Sequence, residues 1–265
     1  MALTAEGREL TEANRLAQLA IAARAMAVSS ILWDGVDVGR LDQSTARWMP
    51  AQLAVLRRFH NDSNRVAGEY LRQYRLAEVG QAGEVVPGGF DTAEMRNTML
   101  LAGPVRTKLL IANGMAPDEA KAGTFNKLGG MVRRQVLDGG RGSVNRTERG
   151  DRRAKGWRRV SDGDPCTFCA MLCARGPVYG SEQKANQVGG SGLQFHGHCG
   201  CTAEIIYGEW TPTETEQTFV DAYDAAATEA DAAGQSRIQS TILYRMRRDG
   251  SFKDSPKIRN ANSDA

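Results

Sequence analysis

The 265 residues, 41% apolar, 25% charged and 6% aromatic, supply enough apolar surface for one or two globular domains and exclude a wholly disordered chain. No stretch reaches the roughly 18 uninterrupted apolar residues of a membrane helix: the best candidate, Leu16 to Leu32, is crossed by Arg24, and Glu6, Arg8, Glu9 and Glu12 stand where a signal peptide would be apolar. With 34 basic and 31 acidic residues, net +3, the chain is too near neutral to bind nucleic acid by bulk charge; a soluble intracellular product is expected.

The first 78 residues read as a helical hairpin. Leu16, Leu19, Ala20, Ala23, Met26 and Ala27 repeat at helical spacing, and Trp33 to Gly39 breaks the pattern. A second helix is predicted from Pro50, a residue suited to a first turn, with Leu53, Leu56, Ser63, Ala67, Tyr70 and Tyr74 on one side and His60 as a half-buried packing residue on the same face. Gly80 to Phe90 is a loop by composition. Asp91 with Glu94 starts a third helix, Gly103-Pro104 ends it and begins another that Gly114 closes, and a further helix from Pro117 carries Phe125, Leu128, Met131, Val132, Val136 and Leu137 up to Gly139-Gly140.

Between Arg141 and Arg159 lie Arg141, Arg146, Arg149, Arg152, Arg153, Lys155, Arg158 and Arg159 against only Glu148 and Asp151. Such a run reads first as a solvated linker; the competing reading is an arm that neutralises phosphates. Thr213 to Arg248 is helical again, with Phe219, Tyr223, Ala226 and Ala227 followed by Ile238, Ile242, Leu243 and Met246, and the last residues are too polar for a core.

All five cysteines fall between positions 166 and 201, which in a reducing compartment favours metal ligation over disulfides. Cys166 and Cys169 form a Cys-x2-Cys knuckle, the spacing at which two thiolates turn onto one tetrahedral ion. Two more ligands must come from His196, His198, Cys199 and Cys201, with Gly197 and Gly200 permitting tight turns. Plain buried cysteines and a redox pair are the competing readings, and Cys173 reads as a small apolar side chain. Pro165-Cys166-x2-Cys169 matches half of the zinc deaminase signature, but the only upstream histidine, His60, is followed by Asn61 and Asp62, so the third ligand and the acid/base glutamate are missing. No nucleophile triad or phosphate-binding glycine loop is present, and no enzymatic activity is expected.

Several segments carry a resemblance. Trp157-Arg158-Arg159-Val160, Pro165 to Leu172, Arg175-Gly176-Pro177-Val178-Tyr179 and Phe195-His196-Gly197-His198-Cys199-Gly200-Cys201 resemble the C-terminal segment of the MuF-like minor capsid proteins of tailed bacteriophages, actinobacteriophage type. Leu32-Trp33, Ser44 with Trp48, and Tyr70-Leu71-x2-Tyr74-Arg75 are similar more loosely, so the likeness spans about residues 3 to 210. The family pattern, Cys-x2-Cys then His-x2-Cys-x-Cys, falls on Cys166, Cys169, His196, Cys199 and Cys201 and implies these as the structural zinc ligands; His198 stands at a variable position. The resemblance further implies a virion protein of few copies in the head near the portal, with portal or major capsid protein as partners and nonspecific contact with packaged DNA. Some relatives carry a fused maturation protease, for which this chain has no Ser, His and carboxylate set.

The expected fold is mainly α: a helical domain over 1–140, a basic linker over 141–156, a small α+β zinc-binding domain over 157–210, C-terminal helices over 211–248 and a flexible tail over 249–265. Val160, Val178-Tyr179 and Ala203 to Tyr207 are the expected short strands. The rival reading is a zinc-stabilised DNA-binding protein using 141–159. Against it, the only basic residues from 161 to 210 are Arg175 and Lys184, facing Asp162, Asp164, Glu182, Glu204 and Glu209. A zinc hydrolase is a third reading, with no residue set to support it.

Overall fold

A computed structural model describes residues 2–177 and 195–256. Two long helices, α1 (Ala5–Asp34) and α2 (Leu41–Val79), form an antiparallel hairpin. Its open end is clamped by Glu78, which accepts hydrogen bonds from the backbone of Leu3 and Thr4 and from the Thr4 hydroxyl. At its closed end Trp33 meets Trp48 edge to face, 5.2 Å between ring centres. The helix α2 begins nine residues before Pro50, which lies within it on the exposed side; there water can take the Ala46 carbonyl that a proline cannot reach.

The buried face of α1 is rotated from the one the leucine and alanine spacing suggests. Thr11, Asn14, Gln18, Ile21, Ala22, Ala25, Ser29 and Trp33 are buried, whereas Leu16 is 53% exposed. The polar members of that face pair across the hairpin: Gln18 with Ser63, and Ser29 with Gln52. Among the described residues α1 alone is long and apolar enough to span a bilayer by length and composition; here it packs on α2 and α5. On α2 the expected side is the buried one, and His60 is 1% exposed.

Asp91 caps α3 (Thr92–Leu100) through the amides of Ala93 and Glu94. Gly103-Pro104 does not end this rod. A π-helical segment, Leu101–Val105, absorbs the proline's missing donor and passes directly into α4 (Arg106–Ala112).

The largest departure from expectation is α5 (Pro117–Gly150), which runs through Gly139-Gly140 and turns most of the expected basic linker into helix. These glycines mark places where other backbones and side chains come close. A Cβ on Gly139 would lie 2.5 Å from the His60 carbonyl oxygen, and one on Gly140 2.6 Å from Gln18 Nε2. Leu128, Val132, Val136 and Leu137 fill a core with Leu56, Phe59, Met99, Trp33 and Trp48.

Beyond α5, β1 (Gly156–Val160) pairs antiparallel with β2 (Thr202–Ile206), Arg158 opposite Glu204. Between them lies α6 (Thr167–Ala174); the expected strand Val178-Tyr179 falls outside the described residues. The helix α7 (Glu214–Ala232) opens with a reciprocal capping box of Thr213 and Glu216, and α8 (Gln239–Asp249) follows after a break. The start of the expected flexible tail is packed: Phe252 and Ser255 are buried, and Phe252 lies against Phe219. A second core joins the sheet, α6, α7 and α8 to Tyr70, Leu71 and Tyr74 at the far end of the hairpin.

Candidate metal centre

The knuckle is built on the start of α6. Cys166 is its N-cap residue, with extended backbone, and Cys169 follows one turn on, so both sulfurs face the same side. The first turn is held from outside by Asp254, whose carboxylate accepts from the Thr167 amide and hydroxyl, 2.7 Å each, while Arg247 bonds its second oxygen at 2.9 Å.

The facing side is the turn from His196 to Cys201. The Cys199 amide bonds the His196 carbonyl at 3.2 Å, and the left-handed residue in this turn is His198 (φ 66°), not a glycine. Its ring is turned onto α5 where Gly130 leaves room: a Cβ there would sit 2.6 Å from the ring. Gly200 serves close approach, since its amide bonds Asp162 and a Cβ would collide with Asp162 and Arg133.

Six donor groups converge. His196 Nδ1 lies 2.7 Å from the Gly197 carbonyl, which makes it the N–H donor and leaves the Nε2 lone pair facing sulfur. Nε2 is 3.0 Å from Cys166 Sγ and 3.4 Å from Cys169 Sγ, and Cys169 Sγ is 3.4 Å from Cys199 Sγ. Cys166, Cys169 and His196 form one group within 4.8 Å; Cys169, Cys199 and Cys201 form another. His198 belongs to neither. Cys173 is buried within hydrogen-bonding reach of Cys201. None of the five cysteines is in a disulfide.

The electrostatics divide the thiols: Cys169 and Cys173, which donate hydrogen bonds to neighbouring sulfurs, are raised, while Cys166 and Cys201, which accept them, are lowered. A hydrogen bond from the Cys169 thiol draws Cys166 down to about 5, against the opposing effect of burial. The thiols of Cys169, Cys173 and Cys199 hold Cys201 well below the ordinary thiol value. Thiolate sulfur with one imidazole, buried and turned inward, suits a soft, tetrahedral divalent ion, so these groups can hold a metal ion.

Two arginines from the basic run support this turn. Arg141 donates from Nε and Nη2 to the Cys201 carbonyl, at 2.9 and 2.7 Å, and from Nη2 to the Cys199 carbonyl at 2.9 Å. Its guanidinium lies 3.7 Å from the centre of the Phe195 ring, and that of Arg159 lies 3.9 Å from it. Arg158 is buried in ion pairs with Glu204 and Glu216, and Thr11 bonds Glu204 at 2.9 Å. Three cations expected on a linker are therefore interior. The signal available in the sequence was periodicity: Arg141 falls four residues after Leu137 and three before Val144, all buried on α5. Asp254 had no such signal.

His60 lies away from the cluster, with Nδ1 2.9 Å from the Gln135 carbonyl and its ring edge to face with Phe90.

No curated protein and no solved structure matches the chain. The family model described as VG15 protein matches residues 6–231, from the first turns of α1 almost to the end of α7, and so takes in the hairpin, the glycine-bearing α5 and the whole cysteine and histidine cluster. The chain belongs to the VG15 protein family, a family of bacteriophage proteins.

Proposed function

We propose that this phage protein is a MuF-like minor capsid protein of the actinobacteriophage type, made in the host cytoplasm and built into the virion. It sits in the head near the portal, bound to portal or major capsid protein, and aids head assembly or DNA packaging and delivery. It has no catalytic role, no small-molecule substrate and no membrane partner. The observation that carries this reading is the donor cluster: Cys-x2-Cys and His-x2-Cys-x-Cys close on each other inside a protein of phage family.

The ion is zinc, held by Cys166, Cys169 and His196 with Cys199 as the fourth ligand, the sulfur 3.4 Å from Cys169. Bound there it acts as a cross-link. The chain's own residues do the rest: Asp254 fixes the start of α6, and Arg141 fixes the carbonyls of the opposite turn. The helical body is left free to present its surface to the portal or shell.

Arg146, Arg149, Arg152, Arg153 and Lys155 remain exposed and suit nonspecific contact with packaged DNA. A dedicated DNA-binding protein is the weaker reading, because Arg141, Arg158 and Arg159 are buried.

The test is mass spectrometry of purified phage particles with cross-linking to identify neighbours. A few copies per particle cross-linked to portal or capsid protein are expected. Absence from the particle, or tight DNA binding at physiological salt without capsid neighbours, would overturn the reading.

A further inference from the structure

The donor cluster holds more ligands than one ion uses. A tetrahedral zinc ion takes four donors at about 2.1–2.3 Å, and six are contiguous here: Cys166, Cys169, Cys173, His196, Cys199 and Cys201. They are arranged as a chain of contacts. At one end Cys166 and His196 are 3.0 Å apart; in the middle the Cys169 and Cys199 sulfurs are 3.4 Å apart; at the other end Cys173 meets Cys201. The two compact groups share Cys169 instead of merging into one tetrahedron.

Two four-coordinate ions have eight coordination positions, which six donors fill when two of them bridge. Cys169 belongs to both groups, and the Cys199 sulfur lies 3.4 Å from it. We propose that the site holds two zinc ions bridged by the Cys169 and Cys199 thiolates, one completed by Cys166 and His196 and the other by Cys173 and Cys201. This extends the zinc reading above and rests on it.

The charges balance. Two zinc ions with five thiolates and one neutral imidazole carry a single net negative charge. The guanidinium groups of Arg141 and Arg159, both against Phe195 beside the cluster, stand close to that remaining charge. Helix geometry also explains why Cys173 takes part: it lies four residues after Cys169 on α6 and projects from the same face.

The test uses tag-free, full-length protein loaded with zinc and freed of loose metal on a weak chelating resin. Native mass spectrometry and elemental analysis then count ions per chain. Two zinc ions are expected in the wild type and one in Cys173→Ser, with unchanged helical circular dichroism. Cobalt titration of the wild type gives an independent readout: two stages, the second perturbing the first-stage spectrum as terminal thiolates become bridges. One zinc ion in the wild type with a single-stage cobalt titration would overturn the second ion and leave the structural zinc reading standing. No bound zinc would overturn both.

Discussion

The two cores of this protein are stabilised by different physics. Around Trp33, Trp48, Leu56, Leu128 and Val136 the interior is apolar, and helices approach closely through glycine; at about 25 cal/mol per Å² of buried apolar surface it needs no partner. Around β1, β2 and α6 the interior contains Arg141, Arg158, Arg159, Glu204, Glu216 and the cysteines, groups that destabilise a core unless each is paired. The comparison teaches that the second region depends on compensation: an ion for the thiolates, acids for Arg158, carbonyls for Arg141.

Metal removal should separate the two regions most sharply. Chelation at neutral pH, or Cys169→Ser, is expected to unfold β1, α6, the turn over 195–201 and β2 locally while α1, α2 and α5 keep their protection, because structural zinc contributes on the order of 10 kcal/mol to such modules. Hydrogen exchange read by mass spectrometry, with zinc content measured in parallel, checks it. Equal loss of protection in the hairpin would show that the two cores form one cooperative unit.

The next largest effect concerns Arg158. Replacing it by Met leaves Glu204 and Glu216 buried without their cation, and a loss of about 3–5 kcal/mol in urea unfolding is expected. The Arg158→Met, Glu204→Leu, Glu216→Leu variant should regain most of it. If Arg158→Met alone is neutral, the charges are not the constraint on this core.

Periodicity made much of the first region legible. Leu56, Ser63, Tyr70 and Tyr74 lie on the side their spacing suggests, and so do Leu128, Val132 and Val136. It failed where polar pairing decided the face, as on α1, where Gln18 and Ser29 are buried and Leu16 is not. It failed again where glycine served contact instead of termination, at Gly139-Gly140. In the candidate site, spacing brought Cys166, Cys169, His196, Cys199 and Cys201 to notice. It could not show that Arg141 and Asp254 hold the two sides, because those contacts join residues 58 to 87 positions apart. Nor could composition separate the buried arginines of 141–159 from the solvated ones.

In the apolar region, crowding is testable with an internal control. Gly139→Ala places a methyl group against the His60 carbonyl and should cost about 1–3 kcal/mol, despite alanine's better helix propensity. Gly123→Ala, on the same helix with open space around it, should stabilise by up to about 1 kcal/mol. Denaturant midpoints compare the two, and a gain from both would mean that α5 does not pack on α2 as tightly as described.

The smallest expected effect lies at the seam between the two regions, where Asp151, just after α5, joins Arg75 of α2 to Tyr207 of the sheet. Its carboxylate accepts from Arg75 Nε at 2.6 Å and from the Tyr207 hydroxyl at 3.0 Å. Burial alone would raise the carboxyl, but the bonds from Arg75, the Arg153 amide and Tyr207 outweigh it and hold it below its ordinary value. Folding therefore lowers its affinity for a proton, and the unfolded chain protonates first as pH falls. The contribution is whole above the ordinary aspartate value near 4 and is lost as pH drops through the lower folded-state value. Asp151→Asn should remove about 1 kcal/mol at pH 7 and flatten the acid limb of the stability profile below the ordinary aspartate value near 4. Thermal unfolding across that range reads it, and an unchanged acid limb in Asp151→Asn would assign the acid sensitivity elsewhere, with Asp254 at the start of α6 the next carboxylate to replace, since its folded-state value is lowered too.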